Sequence, residues 1–147
     1  MKDNICSEVK VLSNLIKRKL TAFPHGCDPM QLTGGHGFIL RFLAENKDKD
    51  VFQKDVEKQF KIRRSTVTAT INRMEKNGLL VRESVDYDSR LKKLTLTEKG
   101  NSLHLLFKKR VEDLETQINE ALNEEETAQF IKLIKKLEDK AETVELI

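Results

Sequence analysis

Between Lys61 and Arg82 stand six basic side chains, Lys61, Arg63, Arg64, Arg73, Lys76 and Arg82, against one acid, Glu75. Cations at that density neutralise phosphates and release counterions from a nucleic-acid duplex. A little further on, Asp88 precedes Arg90 by two residues, and Lys92 and Lys93 follow. A carboxylate so placed can orient the guanidinium by a charge-assisted hydrogen bond. Other chemistry has weaker support. The chain has no Ser/His/Asp ordering around a nucleophile elbow, no phosphate-cradling glycine loop and no marked carboxylate pair, so no catalytic residue is expected. Cys6 and Cys27 form no Cys-x-x-Cys pair and read as bystander thiols before redox sensors. His25, His36 and His104 could join Cys27 around zinc, but their irregular spacing favours ordinary loop or surface histidines. No metal and no cofactor is expected.

The charge is segregated along the chain. Residues 51–100 carry 12 basic and 7 acidic side chains, whereas residues 111–147 carry 4 basic and 11 acidic ones. The net charge of the 147 residues is only +3, so the whole-chain figure conceals a basic middle and an acidic end. The acidic end would be repelled by DNA and needs another task. Nothing approaches the ~18 apolar residues of a membrane span, and the start Met1-Lys2-Asp3-Asn4-Ile5-Cys6 lacks a signal-peptide core. The expected location is the cytoplasm.

The elements that must position these residues follow from periodicity. Ile5, Val9, Leu12, Leu15, Ile16, Leu20 and Phe23 recur at helical steps, predicting a helix over 5–23 that Pro24 ends. Residues 24–30 form a turn-rich connection. Thr33 can cap a second helix containing Phe38, Ile39, Phe42 and Leu43, with Gly34, Gly35 and Gly37 in its first turns implying close packing. After the polar stretch 46–50, Phe52, Val56 and Phe60 define a short helix, and Ile62 sits in a tight turn. The next helix, Arg64 to Lys76, turns Val67, Ile71 and Met74 to the core and stops at Asn77-Gly78. Leu79–Val85 then alternates as a strand. Leu94–Leu96 is its partner, and the charged tip Asp86–Arg90 lies between them. Residues 98–122 read as a long helix with Leu103, Leu106, Phe107, Val111, Leu114, Ile118, Ala121 and Leu122 along its stripe. Asn123 and Glu126 open a last helix over 124–142, with Ala128, Ile131, Ile134, Leu137 and Ala141 inward.

A short helix, a tight turn, a second helix and a β-hairpin make a winged helix-turn-helix. The predicted class is mainly α with a small β-hairpin wing. A helix about 10–12 Å across fits the DNA major groove, roughly 12 Å wide. The helix 64–76 then offers Arg64, Ser65, Thr68, Ala69, Asn72 and Arg73 to the duplex. Asn72 is a candidate reader of adenine, and the methyls of Thr68 and Ala69 are candidates for a thymine methyl. Lys54 and Lys76 are placed as phosphate anchors, with Lys92 and Lys93 adding phosphate contacts from the hairpin. Arg90, at the hairpin tip, is placed to enter a narrow minor groove.

These residues resemble the MarR family of bacterial transcription regulators. The carriers are Gln53-Lys54-Asp55-Val56, Ser65-Thr66-Val67-Thr68, Met74-Glu75-Lys76-Asn77-Gly78-Leu79-Leu80, and Asp88-Ser89-Arg90 leading to Leu94-Thr95-Leu96-Thr97-Glu98-Lys99-Gly100. Phe52 stands where the family often has Thr, Glu57 where a small residue is usual, and Arg63 where Ser or Asp would cap the second helix. The resemblance implies a homodimer on double-stranded DNA, with the second helix in the major groove and Arg90 in the minor groove. Arg63 and Thr66 complete the DNA-binding set that it implies. It also implies small anionic or phenolic effectors between the DNA-binding and dimerisation regions. The corresponding division is residues 31–100 for DNA, and 1–30 with 101–147 for dimerisation, as one compact chain. The expected function is a ligand-responsive repressor on an inverted repeat. Two alternatives are a metal- or redox-sensing variant, and a winged helix used only for protein contacts.

Overall fold

The computed structural model describes residues 3–22 and 36–147. Pro24, His25, Cys27, Thr33, Gly34 and Gly35, and with them the turn-rich connection and the Thr33 cap, lie outside the described residues. The element order is α1 (Ile5–Thr21), α2 (His36–Glu45), α3 (Gln53–Phe60), α4 (Arg64–Lys76), β1 (Leu80–Val85), β2 (Asp88–Leu96), α5 (Glu98–Asn119) and α6 (Glu124–Thr143). The chain forms two compact units, residues 1–110 and 111–147.

The core of the first unit is built where the apolar periods predict. Val67, Ile71 and Met74 of α4 are buried, as are Val56 of α3, Ile39, Leu40 and Leu43 of α2, and Leu79, Leu80 and Leu94 of the hairpin. Fully burying a side chain of this size contributes roughly 1.5–3 kcal/mol, so this cluster fixes the angle at which α3 and the hairpin brace α4. On α2, Gly37 lies so close to Phe107 that a Cβ there would overlap the ring. Phe107 also meets Phe38 edge-on, with centroids 5.1 Å apart.

Backbone hydrogen bonds set the turns. α4 ends with Gly78 N–H donating to Glu75 O (3.0 Å) and Leu79 N–H donating to Met74 O (2.9 Å), while Gly78 takes φ +74°. This is the paired closure that a glycine in the left-handed region allows. The α3–α4 turn uses a less obvious residue, since Lys61 takes φ +52° and Ile62 N–H donates back to Glu57 O at 3.2 Å. At the start of α5, Thr97 N–H donates to Leu79 O and Thr97 Oγ1 donates to Gly78 O, while Gly100 N–H donates to Thr97 Oγ1. A Cβ on Gly100 would run into the Leu79 carbonyl oxygen. The Leu-Thr-x-x-Gly run is therefore a weld between the end of the hairpin and the helix that follows.

Several expectations need correction. The hairpin tip is not a five-residue loop. Asp86 and Tyr87 alone make the turn, and β2 starts at Asp88. The ladder pairs Val85 with Asp88 and then Ser84 with Lys92, so Ser89, Arg90 and Leu91 are extra residues on β2. Such a bulge increases local twist and re-aims side chains. On α5 the buried face is Gly100, His104 and Phe107, whereas Leu106 is 52% exposed. His36 and His104 are buried rather than at the surface.

The second unit comprises the end of α5 and α6. Asn123 caps α6, its Oδ1 accepting from Glu126 N–H at 2.8 Å while Glu126 Oε1 accepts from Asn123 N–H at 3.2 Å. No residue of α6 is buried. The expected inward stripe is open instead, with Ile131 53% and Leu137 40% exposed, and Ala128 and Ala141 exposed as well. In α1 only Leu20 is buried, while Ile5, Val9, Leu12 and Leu15 face solvent. Exposed apolar side chains at helical spacing are the common feature of both terminal helices. No helix among the described residues is long and apolar enough to cross a membrane.

Candidate nucleic-acid interface

α4 supplies the first part of the interface because its core stripe leaves the opposite face outward. Arg63, Arg64, Ser65, Thr66, Ala69, Asn72, Arg73 and Lys76 are exposed, and Thr68 is half-buried. Arg63 makes no side-chain cap, so the first N–H groups of α4 lack that local acceptor. α3 starts without one too: Phe52 offers no capping oxygen, and Asp55 Oδ2 accepts from Phe52 N–H at 2.8 Å. From the first turn of α3, Gln53 Nε2 donates to Thr68 Oγ1 at 2.6 Å, tying α3 to the face of α4. Lys54 is exposed, its ammonium 5.8 Å from the Phe52 ring centroid.

The wing supplies the second part. Asp88 holds Arg90 in a fork, with Arg90 Nε donating to Oδ1 and a terminal nitrogen donating to Oδ2, both at 3.1 Å. Asp88 Oδ1 also accepts from Arg90 N–H at 2.9 Å. These bonds hold the Asp88 carboxyl below its usual pKa and raise that of the guanidinium, so the pair stays ionised near neutrality. The Arg90 side chain is nonetheless 87% exposed, its guanidinium oriented by Asp88 while one terminal nitrogen stays outside the fork. Lys92 Nζ donates to Ser84 Oγ across the hairpin at 2.6 Å.

A groove of about 560 Å³ brings α3, α4 and the wing together, lined among others by Lys54, Arg64, Thr68, Arg82, Arg90 and Lys92. Ser65, Thr66, Ala69, Asn72, Arg73 and Lys76 continue the exposed face of α4 outside it. Lys93 does not join them. It lines a separate hollow with Asp50 and Glu83, 3.6 and 3.9 Å from their carboxylates. Adjacent strand residues point to opposite faces, so Lys92 and Lys93 cannot both serve one groove.

Three contributors were not singled out from the sequence. Arg82, there only one of six cations, reaches back from β1 to Asn72 and Glu75 of α4. Asp50 accepts from Tyr87 Oη at 3.0 Å and pairs with Lys93, and beside it Val51 O accepts from Leu94 N–H at 2.7 Å. Desolvation of the hydroxyl and its bond to Asp50 raise the Tyr87 pKa, keeping this donor protonated. The sequence signal for Arg82 was its charge directly after an apolar strand start; Asp50 and Tyr87 carry none. Among the described residues no three potential metal ligands cluster, and Cys6 is exposed.

Two helices at a fixed angle, an outward basic and polar face, and a hairpin whose second strand presents an exposed arginine held by Asp88 define a winged helix-turn-helix DNA-binding protein. A model of the MarR family matches residues 30–91. The transcription regulator MarR from Oenococcus oeni PSU-1 is 32% identical, with a TM-score of 0.77 over 92% of this chain and 99% of that one. MepR of S. aureus, solved as a DNA complex, is 22% identical, with a TM-score of 0.83 over 95% of this chain and 99% of that one. A Listeria monocytogenes protein described as a MarR-family transcriptional regulator, solved with a 26mer DNA, is 23% identical, with a TM-score of 0.77 over 95% and 89% of the two chains. The chain belongs to the MarR family and is a transcriptional regulator.

Proposed function

We propose that the protein is a ligand-responsive repressor that binds an inverted DNA repeat as a homodimer. α4 enters the major groove of each half-site and Arg90 the neighbouring minor groove. The carrying observation is the common groove of α3, α4 and wing, which gathers Lys54, Arg64, Arg82, Arg90 and Lys92 beside the exposed face of α4. In this reading residues 31–100 bind DNA, and residues 1–30 with 101–147 form the dimer. The open apolar stripes of α1 and α6 support it, because exposed Ile and Leu at helical spacing are the usual material of an interface. The acidic balance of residues 111–147 keeps that end off the duplex.

Two-fold pairing doubles the sequence read and sets the reading helices about 34 Å apart, one turn of DNA. An effector that binds better to a differently spaced form releases the protein by shifting the population. Light scattering combined with footprinting on the protein's own upstream region tests the reading. A dimer protecting a two-fold symmetric site supports it. A strict monomer, or no protection at low salt, overturns it.

A further inference from the structure

Resting on that DNA-reading function, we infer that Arg82 sets the base preference of Asn72, turning it from an adenine reader into a reader of keto-bearing bases. The Arg82 guanidinium reaches the outer face of α4, donating to Asn72 Oδ1 at 2.6 Å and to Glu75 Oε1 at 3.2 Å. These two acceptors are three residues apart on the helix and therefore neighbours on its surface. A guanidinium has donors and no acceptor, so only the amide oxygen can face it. The orientation of the Asn72 amide is thus fixed by chemistry.

An unrestrained asparagine reads adenine with both ends of its amide, accepting from N6 and donating to N7. In Asn72 the oxygen already accepts from a cation. The oxygen keeps a second lone pair, but an adenine amino group that takes it up meets the guanidinium, a donor of like polarity, beside it. The Nδ2 group is left to face the groove with its two donors. It matches the O6 and N7 of guanine or the O4 of thymine, and it mismatches the amino groups of adenine and cytosine. Glu75 Oε1 accepts from the guanidinium's other terminal nitrogen.

The test is selection from a duplex library randomised over the binding site. It uses the full-length wild type, Asn72→Ala, Asn72→Asp, Arg82→Met and Glu75→Gln, with melting curves to confirm folding. Asn72→Ala should relax one position of each half-site, where the wild type favours guanine or thymine over adenine by roughly fivefold or more, the low end of what a base contact discriminates. Arg82→Met should raise the adenine share at that position by a similar factor. Asn72→Asp, which leaves the hairpin untouched and keeps the Arg82 pair, should move the preference towards amino-bearing bases. Glu75→Gln should leave the ratio in place. A wild-type preference for adenine at the position, an unchanged ratio in Arg82→Met, or no position relaxed by Asn72→Ala overturns the inference while the DNA-reading function stands. A wild type that binds without any sequence preference overturns both.

Discussion

Replacing Arg90 by alanine should weaken binding to every DNA sequence and flatten its dependence on salt. The side chain is 87% exposed and its fork partner, Asp88, lies in the same strand, so its removal takes away a cation without disturbing the core. Surface ion pairs contribute little to stability, and the melting temperature should stay that of the wild type. Each neutralised phosphate contributes about 0.9 to the slope of log affinity against log salt, so two copies in a dimer contribute about 1.8. Between 50 and 200 mM salt the logarithm of concentration rises by about 0.6, and the wild type should therefore lose about tenfold more affinity than the variant. Fluorescence anisotropy on one operator duplex across a salt series reads this directly. Asp88→Asn is the companion, keeping the cation while weakening the fork. Its slope should match the wild type, and its preference for a narrow minor groove should decline. An Arg90→Ala slope equal to that of the wild type would falsify the placement of the wing tip on DNA.

Gly100→Ala should destabilise the fold by about 3 kcal/mol or more, at or above the upper end of overpacking costs, because the obstacle is the Leu79 carbonyl and not a movable side chain. At roughly 2–4 °C per kcal/mol for a chain of this size, calorimetry should show a drop of about 6–12 °C. His104 provides a pH signature. Burial lowers its pKa, Lys108 and Arg41 add to the effect, and Glu45 opposes it. As the pH falls below about 6.5, the unfolded chain takes up a proton that the native state resists, so stability declines until folded His104 itself protonates. His104→Leu should flatten that decline in urea titrations between pH 7 and 5 and cost little at pH 7, because the Nδ1 atom has no hydrogen-bond partner among the described residues. An equally steep decline in the variant would show that another group is responsible.

The elements with an apolar period and a chemical stop were legible in the sequence. α4 starts at Arg64 and ends at Lys76, because Val67, Ile71 and Met74 mark its face and Asn77-Gly78 marks its end. The capping pair Asn123 and Glu126 placed the start of α6 equally well. β2 was read short because Asp88, Ser89, Arg90, Lys92 and Lys93 carry no apolar alternation, and the strand exists through its ladder with β1. Lys61 gave no sign of a left-handed backbone, which is unfavourable for lysine and imposed here by the packing of α3 against α4. On α5 Phe107 of the predicted stripe is buried and Leu103, Val111 and Leu114 are half-buried, while Leu106 and Ile118 are exposed; His104 and Gly100, which carry no apolar signal, complete the buried face. For the interface, the Asp88–Arg90 fork followed from a two-residue spacing. The Arg82 and Asp50 contacts did not, since they depend on which strand face meets which helix.

Tyr87, Lys93 and Leu94 staple the wing to Asp50 and Val51, while Arg82 staples its other strand to α4. Hairpin and helix consequently move as a single tool with two prongs of fixed separation. If the protein reads an inverted repeat as the proposed dimer, a base pair inserted at the centre of the operator shifts both prongs of one protomer together and leaves each half-site gripped. A base pair inserted between the bases under α4 and those under Arg90 forces every protomer to give up one prong. In that dimer, tolerance to spacing would be a property of the joint between protomers, and intolerance within a half-site would be built into the staples.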